Sequence, residues 1–190
     1  MQIRGRKGGR AVKSVLLSVT PEWVDKICHE IGVQNGKPIY EKEDEVRKTR
    51  PSAPVPFKVY IYESRRRKKV VAEFICDRMT YIGARFDDDG CRHLENTAFL
   101  KTGLSADSLF EYIYGEEKSK HNGWAWHISD LKIYEKPREL SEFNRPCDGN
   151  CQECQYALLR IYTFLSEAKI AGCTQKLKAP QSWCYVEEVE

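Results

Sequence analysis

The sequence predicts an α+β fold, or a small β-barrel with helices at its ends. Three observations lead there. An apolar strand at residues 12–19 runs directly into a helix start. Two segments, 57–63 and 70–77, alternate apolar and polar side chains as half-buried strands do. Strands and helices then follow one another without the regular βαβ alternation of a parallel sheet.

The first strand and helix are the clearest elements. Thr20 can cap a helix, and Pro21 suits its first position, where a missing N–H costs nothing. Gly32 supplies a stop. Between these signals, apolar residues recur at helical spacing: Trp23, Val24, Ile27, Cys28 and Ile31.

The middle of the chain predicts mainly strands. Residues 33–56 are highly charged and interrupted by four prolines, which predicts irregular structure. The alternating segments 57–63 and 70–77 flank a basic run, so we expect a β-hairpin with that run at its turn. Residues 80–102 fit neither a helix nor a strand pattern consistently.

Two further helices and two strands are predicted in the second half. Ser105 can cap a helix that ends at Gly115. Alternating aromatic and apolar residues predict one strand over 124–134, and helical spacing predicts a helix over 156–169. A short final strand follows at 182–187.

Composition excludes several classes of protein. Of the 190 residues 31% are charged, but the net charge is only +3, too small by itself to establish a nucleic-acid partner. No run of about 18 apolar residues predicts a membrane span. Residues 1–11 form a basic, glycine-rich arm without the apolar stretch of a secretory signal. We therefore expect a cytoplasmic protein whose eight cysteines are reduced and either buried or metal-bound.

The strongest motif is a cysteine cluster near the C-terminus. Its members are Cys147, Cys151, Cys154 and Cys173. Three closely spaced thiolates around a turn, with a fourth after one helix, predict a closed, structural zinc site. A polar, turn-rich segment cannot bury much core, so metal binding would contribute its folding free energy. An iron–sulfur cluster and cysteines without metal are the alternatives.

Several segments together resemble the ASCH branch of the PUA-like superfamily, in particular its prophage-type members. They are 17–23 (LSVTPEW), 45–51 (EVRKTRP), 59–62 (VYIY), 126–134 (WHISDLKIY) and 180–186 (PQSWCYV). The resemblance implies a compact β-barrel flanked by helices, with a pocket lined by the segment after the first helix. It also implies binding of RNA or a nucleobase, and in some members an enzymatic role.

The resemblance also implies particular pocket residues. The family pattern of glycine, lysine and Glu-x-Arg places its acid and arginine on Glu45 and Arg47. Its lysine falls on Lys42 by spacing, or on Lys37 if residues 38–44 are an insertion. One subgroup resembles an amidohydrolase of a modified cytidine that uses lysine, threonine and glutamate. Its threonine position is Glu45 here, which counts against the same hydrolysis.

The residue chemistry fits such a pocket. In an extended segment Glu45 and Arg47 point to one face. Together they can pair with the edge of a base, the acid accepting from an exocyclic amine and the guanidinium donating. Lys42 can contact a phosphate or act as a base if it is desolvated. The alternative is a solvated, charged loop.

A second candidate surface is the predicted hairpin turn. It contains five consecutive cations: Arg65, Arg66, Arg67, Lys68 and Lys69. Such a cluster can engage several phosphates and make binding salt-dependent, with Tyr60 and Tyr62 on the adjoining strand stacking bases. A soluble, charged hairpin tip is the alternative.

The remaining candidates favour structural roles. We expect His127 to be a hydrogen-bonded residue of the barrel rather than a base. We expect Trp124 and Trp126 to belong to the core, with a stacking floor for a base as the alternative. Cys91 and His93 form an isolated potential chelating pair. The apolar faces of predicted elements include Cys28, Cys76 and Cys184, which predicts buried thiols.

The predicted organisation has four parts. A basic flexible arm (1–11) precedes a PUA-like ASCH domain (12–145), a cysteine-rich insertion with one helix (146–179), and the final strand and tail (180–190). Three functions remain open: a module that binds RNA or a modified nucleobase; an enzyme of ribonuclease or amidohydrolase type, with Lys42 or Lys37 as base or nucleophile and Glu45 as partner; and a phage protein that binds a host protein.

Overall fold

A computed structural model of the chain describes residues 14–89, 92–115, 122–147 and 174–188. Within these ranges the protein is mostly β-structure with two α-helices. The predicted arm, the predicted helix over 156–169 and most of the cysteine-rich segment lie outside the described residues.

The described elements follow one another in chain order. The two helices are α1 (Pro21–Cys28) and α2 (Ala106–Tyr114). The first seven strands are β1 (Ser14–Val19), β2 (Glu30–Gln34), β3 (Lys37–Tyr40), β4 (Asp44–Arg47), β5 (Phe57–Glu63), β6 (Lys69–Cys76) and β7 (Met79–Ile82). The others are β8 (Ala84–Phe86), β9 (Arg92–Leu94), β10 (Gly123–His127), β11 (Ser129–Arg138), β12 (Phe143–Pro146), β13 (Thr174–Lys176) and β14 (Trp183–Glu188).

Two sheets position the rest of the molecule. The larger has seven strands in the order β11-β6-β5-β1-β14-β12-β13, and the smaller is β4-β10-β7. Strands β1 and β5 run parallel, with Leu17 opposite Ile61, while β1 and β14 are antiparallel. Because β11 and β13 end the large sheet as edges, the described strands form open sheets, and the predicted closed barrel is wrong for this part of the chain.

The main core lies where the large sheet, α1 and the small sheet meet. It includes Leu17 of β1, Ile27 of α1, Phe74 of β6 and Trp126 of β10, all at most 1% exposed. Helix α2 covers the opposite face of the small sheet with Leu109 and other apolar residues. The small sheet is therefore packed on both faces, which fixes β4 in place.

The first helix is shorter than the sequence predicts. It ends at Cys28, and Ile31 lies in β2 with 60% of its surface exposed. The reason is a β-hairpin of β2 and β3 whose turn is Asn35-Gly36, with φ values of 52° and 75°. Both angles are left-handed, as a tight type I′ turn requires, and Asn-Gly adopts them readily. The prediction of irregular structure over 33–56 was thus wrong for this hairpin and for β4.

The predicted strand over 124–134 is two strands in different sheets. Gly123–His127 pairs with β4 and β7, whereas Ser129–Arg138 pairs with β6. Ile128 lies between them and remains buried, so the apolar pattern continues across the change of sheet. The hairpin of β5 and β6, the helix capped by Ser105 and the final strand are confirmed.

Candidate nucleobase-binding cavity

A cavity of about 260 Å³ opens between the end of β1, α1, β4 and α2. Its twelve lining residues are Ser18, Val19, Thr20, Trp23, Lys42, Glu45, Val46, Arg47, Ser64, Leu104, Tyr112 and Gln181. Small-molecule sites typically measure roughly 300–1,000 Å³, so this volume suits a ligand smaller than a drug. Three predicted site residues, Lys42, Glu45 and Arg47, therefore meet in one concave site.

The acid and the arginine come from β4. Glu45 is paired with Trp126 and Arg47 with Trp124 on β10, so the two side chains project from the same face of the small sheet. Arg47 Nη2 lies 2.7 Å from Glu45 Oε1 and also donates to the carbonyl oxygen of Ser18 at 2.9 Å. The period-2 pattern of the sequence predicted this common face.

Lys42 approaches the same carboxylate from the loop before β4. Its Nζ lies 3.1 Å from Glu45 Oε2 and donates to the carbonyl oxygen of Thr102 at 2.8 Å. It also lies 4.7 Å from the centre of the Trp23 ring, within the range of a cation–π contact. The side chains of Lys42 and Glu45 are 3% and 7% exposed, so this charged group is almost fully withdrawn from water.

The position of Lys42 depends on the loop that precedes α2. Backbone N–H groups of Glu43 and Asp44 donate to the carbonyl oxygen of Lys101, and Asp44 Oδ2 accepts from the Lys101 N–H at 2.9 Å. These bonds tie residues 101 and 102 to the start of β4. The alternative lysine, Lys37, is exposed on β3 and does not line the cavity.

Polar atoms of the cavity-lining residues are buried without a hydrogen bond to any described residue. They are Thr20 Oγ1, Glu45 Oε2 and Arg47 Nε. Glu45 Oε2 contacts Lys42 only as an ion pair. Asp44 Oδ1 and Trp126 Nε1, whose residues do not line the cavity, are unsatisfied in the same way. Buried polar groups in native proteins are almost always satisfied, so a polar ligand or ordered water is expected at such atoms.

Thr20 differs from its expected role. Its carbonyl accepts the first hydrogen bonds of α1, from Trp23 and Val24, but its hydroxyl caps no backbone N–H. The hydroxyl oxygen is buried and makes no hydrogen bond to a described residue, and Thr20 is one of the residues that line the cavity. The sequence signal for a capping threonine was correct for the helix start and misleading for the side chain.

The residues that sequence reasoning missed are mainly aromatic. Trp23 was predicted as a helix core position, and Tyr112 was not singled out, yet both line the cavity. Tyr112 is 40% exposed. A tryptophan directly after a helix start, near a predicted lysine–acid–arginine group, was the available signal for Trp23.

The basic hairpin turn is mostly paired within the protein. Arg66 donates to Glu63 and to Asp25, Arg67 Nε lies 3.7 Å from Glu63 Oε2, and Lys69 Nζ lies 2.6 Å from Glu139 Oε1. Arg65 and Lys68 make no ion pair with a described residue.

The acidic partner at this turn is unusually buried. The Glu63 side chain is fully buried beneath Arg66 and Arg67. Burial alone would raise the pKa of this carboxyl, but hydrogen bonds from the Arg66 side chain and the Arg67 N–H outweigh it and lower the pKa below its ordinary value of 4.5. Part of the predicted phosphate-binding cluster therefore stabilises the fold.

The two tyrosines predicted to stack bases beside this turn are core residues. Tyr60 and Tyr62 are 2% and 6% exposed. The ring of Tyr60 packs edge-on against Phe143 of β12, at a centroid distance of 4.9 Å. The prediction that these side chains are available for stacking was wrong, because the C-terminal strands cover the second face of β5.

The other candidates have structural partners. His127 Nδ1 lies 2.6 Å from Asp77 Oδ1, and His93 Nε2 lies 3.0 Å from Asp87 Oδ2. Cys91 lies outside the described residues. Trp126 is fully buried, whereas Trp124 is partly buried.

Two of the described thiols, Cys28 and Cys76, are unsuited to nucleophilic chemistry. Burial raises the pKa of Cys28 to about 11 and that of Cys76 to about 12, so both stay protonated at neutral pH. Cys184 is partly buried.

Only one member of the predicted zinc cluster can be placed. Cys147 is buried, 1% exposed, at the end of β12, and Gln175 Nε2 lies 4.0 Å from its sulfur. Cys151, Cys154 and Cys173 lie outside the described residues. Within the ranges that the structure describes, no three histidine, cysteine or acidic side chains group as metal ligands do. The zinc site stays a prediction.

No protein-family model and no curated protein matches the chain. Solved structures similar to it include those of ZmASCH from Zymomonas mobilis. ZmASCH from Zymomonas mobilis is 15% identical, with a TM-score of 0.47 over 92% of this chain and 88% of that one. Two single-substitution mutants of ZmASCH give TM-scores of 0.48 and 0.46, at 15% and 17% identity. They cover 92% and 93% of this chain, and 91% and 89% of their own.

Neither α1 nor α2 has the length and apolar character of a bilayer-spanning helix, and the described residues contain no other helix that does.

Proposed function

We propose that the protein binds RNA by enclosing one nucleobase, standard or modified, in the cavity between α1, β4 and α2. The observation behind this proposal is the buried Glu45–Arg47 pair, in which Glu45 Oε2 and Arg47 Nε make no hydrogen bond to a described residue. An acceptor and a donor on two paired side chains can match the donor–acceptor edge of a base.

The remaining walls suit the rest of a nucleotide. The ring of Trp23 and the partly exposed ring of Tyr112 offer apolar and stacking surface. With Lys42 and Arg47 against Glu45, the group has two cations and one anion, so it favours a ligand with some negative charge. Thr20 adds a hydroxyl that can donate or accept.

Thermal unfolding in the presence of free nucleosides and nucleobases tests the proposal. A ligand that binds the folded state raises Tm in proportion to the logarithm of its concentration. We expect at least one base to raise Tm in the wild type and in Lys37→Met, and to have no effect in Lys42→Met. Lys37 is the matched control because it is an exposed lysine outside the cavity.

The same experiment can refute the proposal. If no base or nucleoside shifts Tm at millimolar concentration, or if Lys42→Met and Lys37→Met respond equally, the cavity does not recognise a base. Glu45→Gln is a second variant for the same Tm measurement. It preserves the shape of the side chain but replaces one of the two acceptor oxygens by an NH2 donor.

An enzymatic role is the second candidate, and one contact favours it. A lysine and a carboxylate 3.1 Å apart inside a cavity are placed for acid–base chemistry on a bound base. The resemblance places a threonine of its hydrolase subgroup at Glu45, whereas the threonine that lines this cavity, Thr20, comes from a different segment. This difference disfavours an identical hydrolysis and leaves other turnover to be tested.

Turnover can be separated from binding by mass spectrometry of modified nucleosides and short RNAs. For an enzyme, product formation is lost in Lys42→Ala and Glu45→Ala and retained in Lys37→Ala. Product that persists in both cavity variants excludes these residues from the chemistry. A phage origin and a host-protein partner stay predictions from the sequence resemblance.

A further inference from the structure

The segment that leaves the cavity, residues 48–53, is fixed against the C-terminal strand. Thr49 Oγ1 accepts from Trp183 Nε1 at 2.9 Å. The N–H groups of Ser52 and Ala53 donate to the hydroxyl of Tyr185 at 2.8 and 3.1 Å. These three bonds hold the segment while Lys48 and Arg50 remain exposed.

The two cations of this segment lie against aromatic rings. The guanidinium carbon of Arg50 is 4.3 Å from the centre of the Trp124 ring, and Lys48 Nζ is 5.8 Å from that of Tyr112. Neither Arg50 nor Lys48 forms an ion pair with a described residue. They differ in this from Arg66, Arg67 and Lys69 of the hairpin turn, whose charges are offset by Glu63, Asp25 and Glu139.

Two aromatic side chains, Trp124 and Tyr81, continue a row across the small sheet that begins at Arg47 in the cavity. Arg47, Trp124 and Tyr81 are direct cross-strand partners on β4, β10 and β7. Their side chains therefore share the face of the small sheet from which Glu45 projects. The rings of Tyr81 and Trp124 lie 5.3 Å apart, edge to face, and Tyr81 is 40% exposed.

We propose that Arg50, Trp124 and Tyr81 form a stacking platform for single-stranded RNA that extends from the cavity. The inference rests on the proposed function, since the platform would take the nucleotides next to the enclosed base. Exposed rings and guanidinium planes accept bases of any identity by stacking, and unpaired cations beside them attract phosphates. The platform therefore adds affinity without adding sequence preference.

This surface favours a single strand over a duplex for a geometric reason. Stacking on Tyr81 or on the Arg50 guanidinium requires the face of an unstacked base, which a duplex does not offer. The bonds from Trp183 and Tyr185 fix the segment before ligand binds, so little conformational entropy is lost on binding.

The test compares a fluorescent eight-nucleotide RNA with free nucleosides as probes of the full-length protein. We expect Arg50→Ala and Tyr81→Ala each to weaken binding of the octanucleotide about tenfold, while nucleoside binding changes less than about twofold. Arg50→Ala should also reduce the slope of log affinity against log salt concentration by about 0.7, as the loss of one phosphate contact from a single strand requires.

Control variants separate the platform from a general loss of charge or fold. Lys132→Ala removes an exposed cation that also lies over a ring, Tyr134 at 5.9 Å, but on β11, and should leave octanucleotide binding unchanged. Tyr81→Phe keeps the ring and loses only its hydrogen bond to Asn122, so it should bind as the wild type does.

The outcomes distinguish this inference from the proposed function. If nucleosides bind and Lys42→Met abolishes that binding, but Arg50→Ala and Tyr81→Ala bind the octanucleotide normally, the platform is refuted and the cavity stands. If the wild type binds neither probe, both fail. Binding to a polyglutamate peptide, but not to RNA, with the same dependence on Arg50 would also overturn the platform. A DNA octanucleotide of the same sequence is a further probe, and equal affinity for it supports the platform, because stacking does not read the 2′-hydroxyl.

Discussion

Lys42 Nζ lies 3.1 Å from Glu45 Oε2, and on the other side of the carboxylate Arg47 Nη2 lies 2.7 Å from Glu45 Oε1. One buried anion thus pairs with two cations that come from separate segments of the chain, which leaves a net charge of +1. Removing the anion leaves two like charges in a site with little water, whereas removing Lys42 leaves a matched pair.

This asymmetry predicts unequal losses of stability. We expect Glu45→Gln to lower the free energy of unfolding by roughly 3–5 kcal/mol, because it leaves buried charge uncompensated. Lys42→Met should cost less, about 1–2 kcal/mol, mainly through the lost donor to the Thr102 carbonyl. Urea unfolding of both variants measures the difference. Equal losses would contradict the arrangement.

The Arg66 cluster predicts a dependence of stability on pH. A hydrogen bond from Arg66 lowers the pKa of Asp25 below its ordinary value of 3.8. The pKa of Glu63 is likewise below its ordinary value of 4.5, because hydrogen bonds from Arg66 and Arg67 outweigh the effect of burial. Carboxyls with a depressed folded-state pKa stabilise the protein fully above their unfolded pKa and lose that effect as pH falls through the folded value.

Arg66→Gln should therefore be less stable than the wild type at neutral pH, with a difference that shrinks as the pH falls below about 4. Unfolding midpoints in urea between neutral and acid pH measure this change. Arg65→Gln is the control, since Arg65 makes no ion pair with a described residue. A difference that is constant with pH, or grows in acid, would refute the role of Arg66.

Gly123 of β10 packs tightly against Ile113 of α2. A Cβ atom at this position would lie 2.4 Å from Ile113 Cδ1 and 3.2 Å from Ile82 Cβ. We expect Gly123→Ala to destabilise the protein by roughly 1–3 kcal/mol through overpacking. Ile113→Val removes the nearest methyl group and should restore part of that loss in the double variant.

The matched control for this pair is Gly32→Ala. Gly32 lies in β2, and a Cβ atom there would have nothing within 4 Å. Calorimetry of the wild type, Gly123→Ala, the Gly123→Ala/Ile113→Val double variant and Gly32→Ala measures the four unfolding temperatures. If Gly123→Ala unfolds at the same temperature as Gly32→Ala, the packing of α2 on the small sheet is looser than these distances indicate.

The zinc site predicted from the cysteine spacing has a direct test. We expect purified protein to contain about one zinc ion per chain by elemental analysis, and Cys151→Ser to lose it. Cys28→Ser is the control, because Cys28 packs against the main core and is not part of the motif. Iron in place of zinc would favour a cluster, and a metal content that does not depend on Cys151 would refute the site.

Local patterns were sufficient for much of the fold. The alternation of β5 and β6, the Ser105 cap and the Thr20-Pro21 helix start each follow from neighbouring residues, and all are present in the structure. The Asn35-Gly36 turn is equally local. The sequence prediction did not use this turn signal, and residues 33–56 were therefore predicted to be irregular. Glu45 and Arg47 share a face because strand geometry has a period of two.

Contacts between distant segments decided the rest. The alternation of β5 identifies one apolar face but not whether the other face is covered, and Phe143 covers it at Tyr60. Likewise, only packing brings the Thr102 carbonyl, 60 residues away, to Lys42, and sets the charges of the hairpin turn against Asp25 and Glu139. The sequence by itself determined which charged and aromatic residues are available. The tertiary structure decided which are buried against one another and which, like Arg50, remain exposed, because burial and pairing depend on the partners that folding brings together.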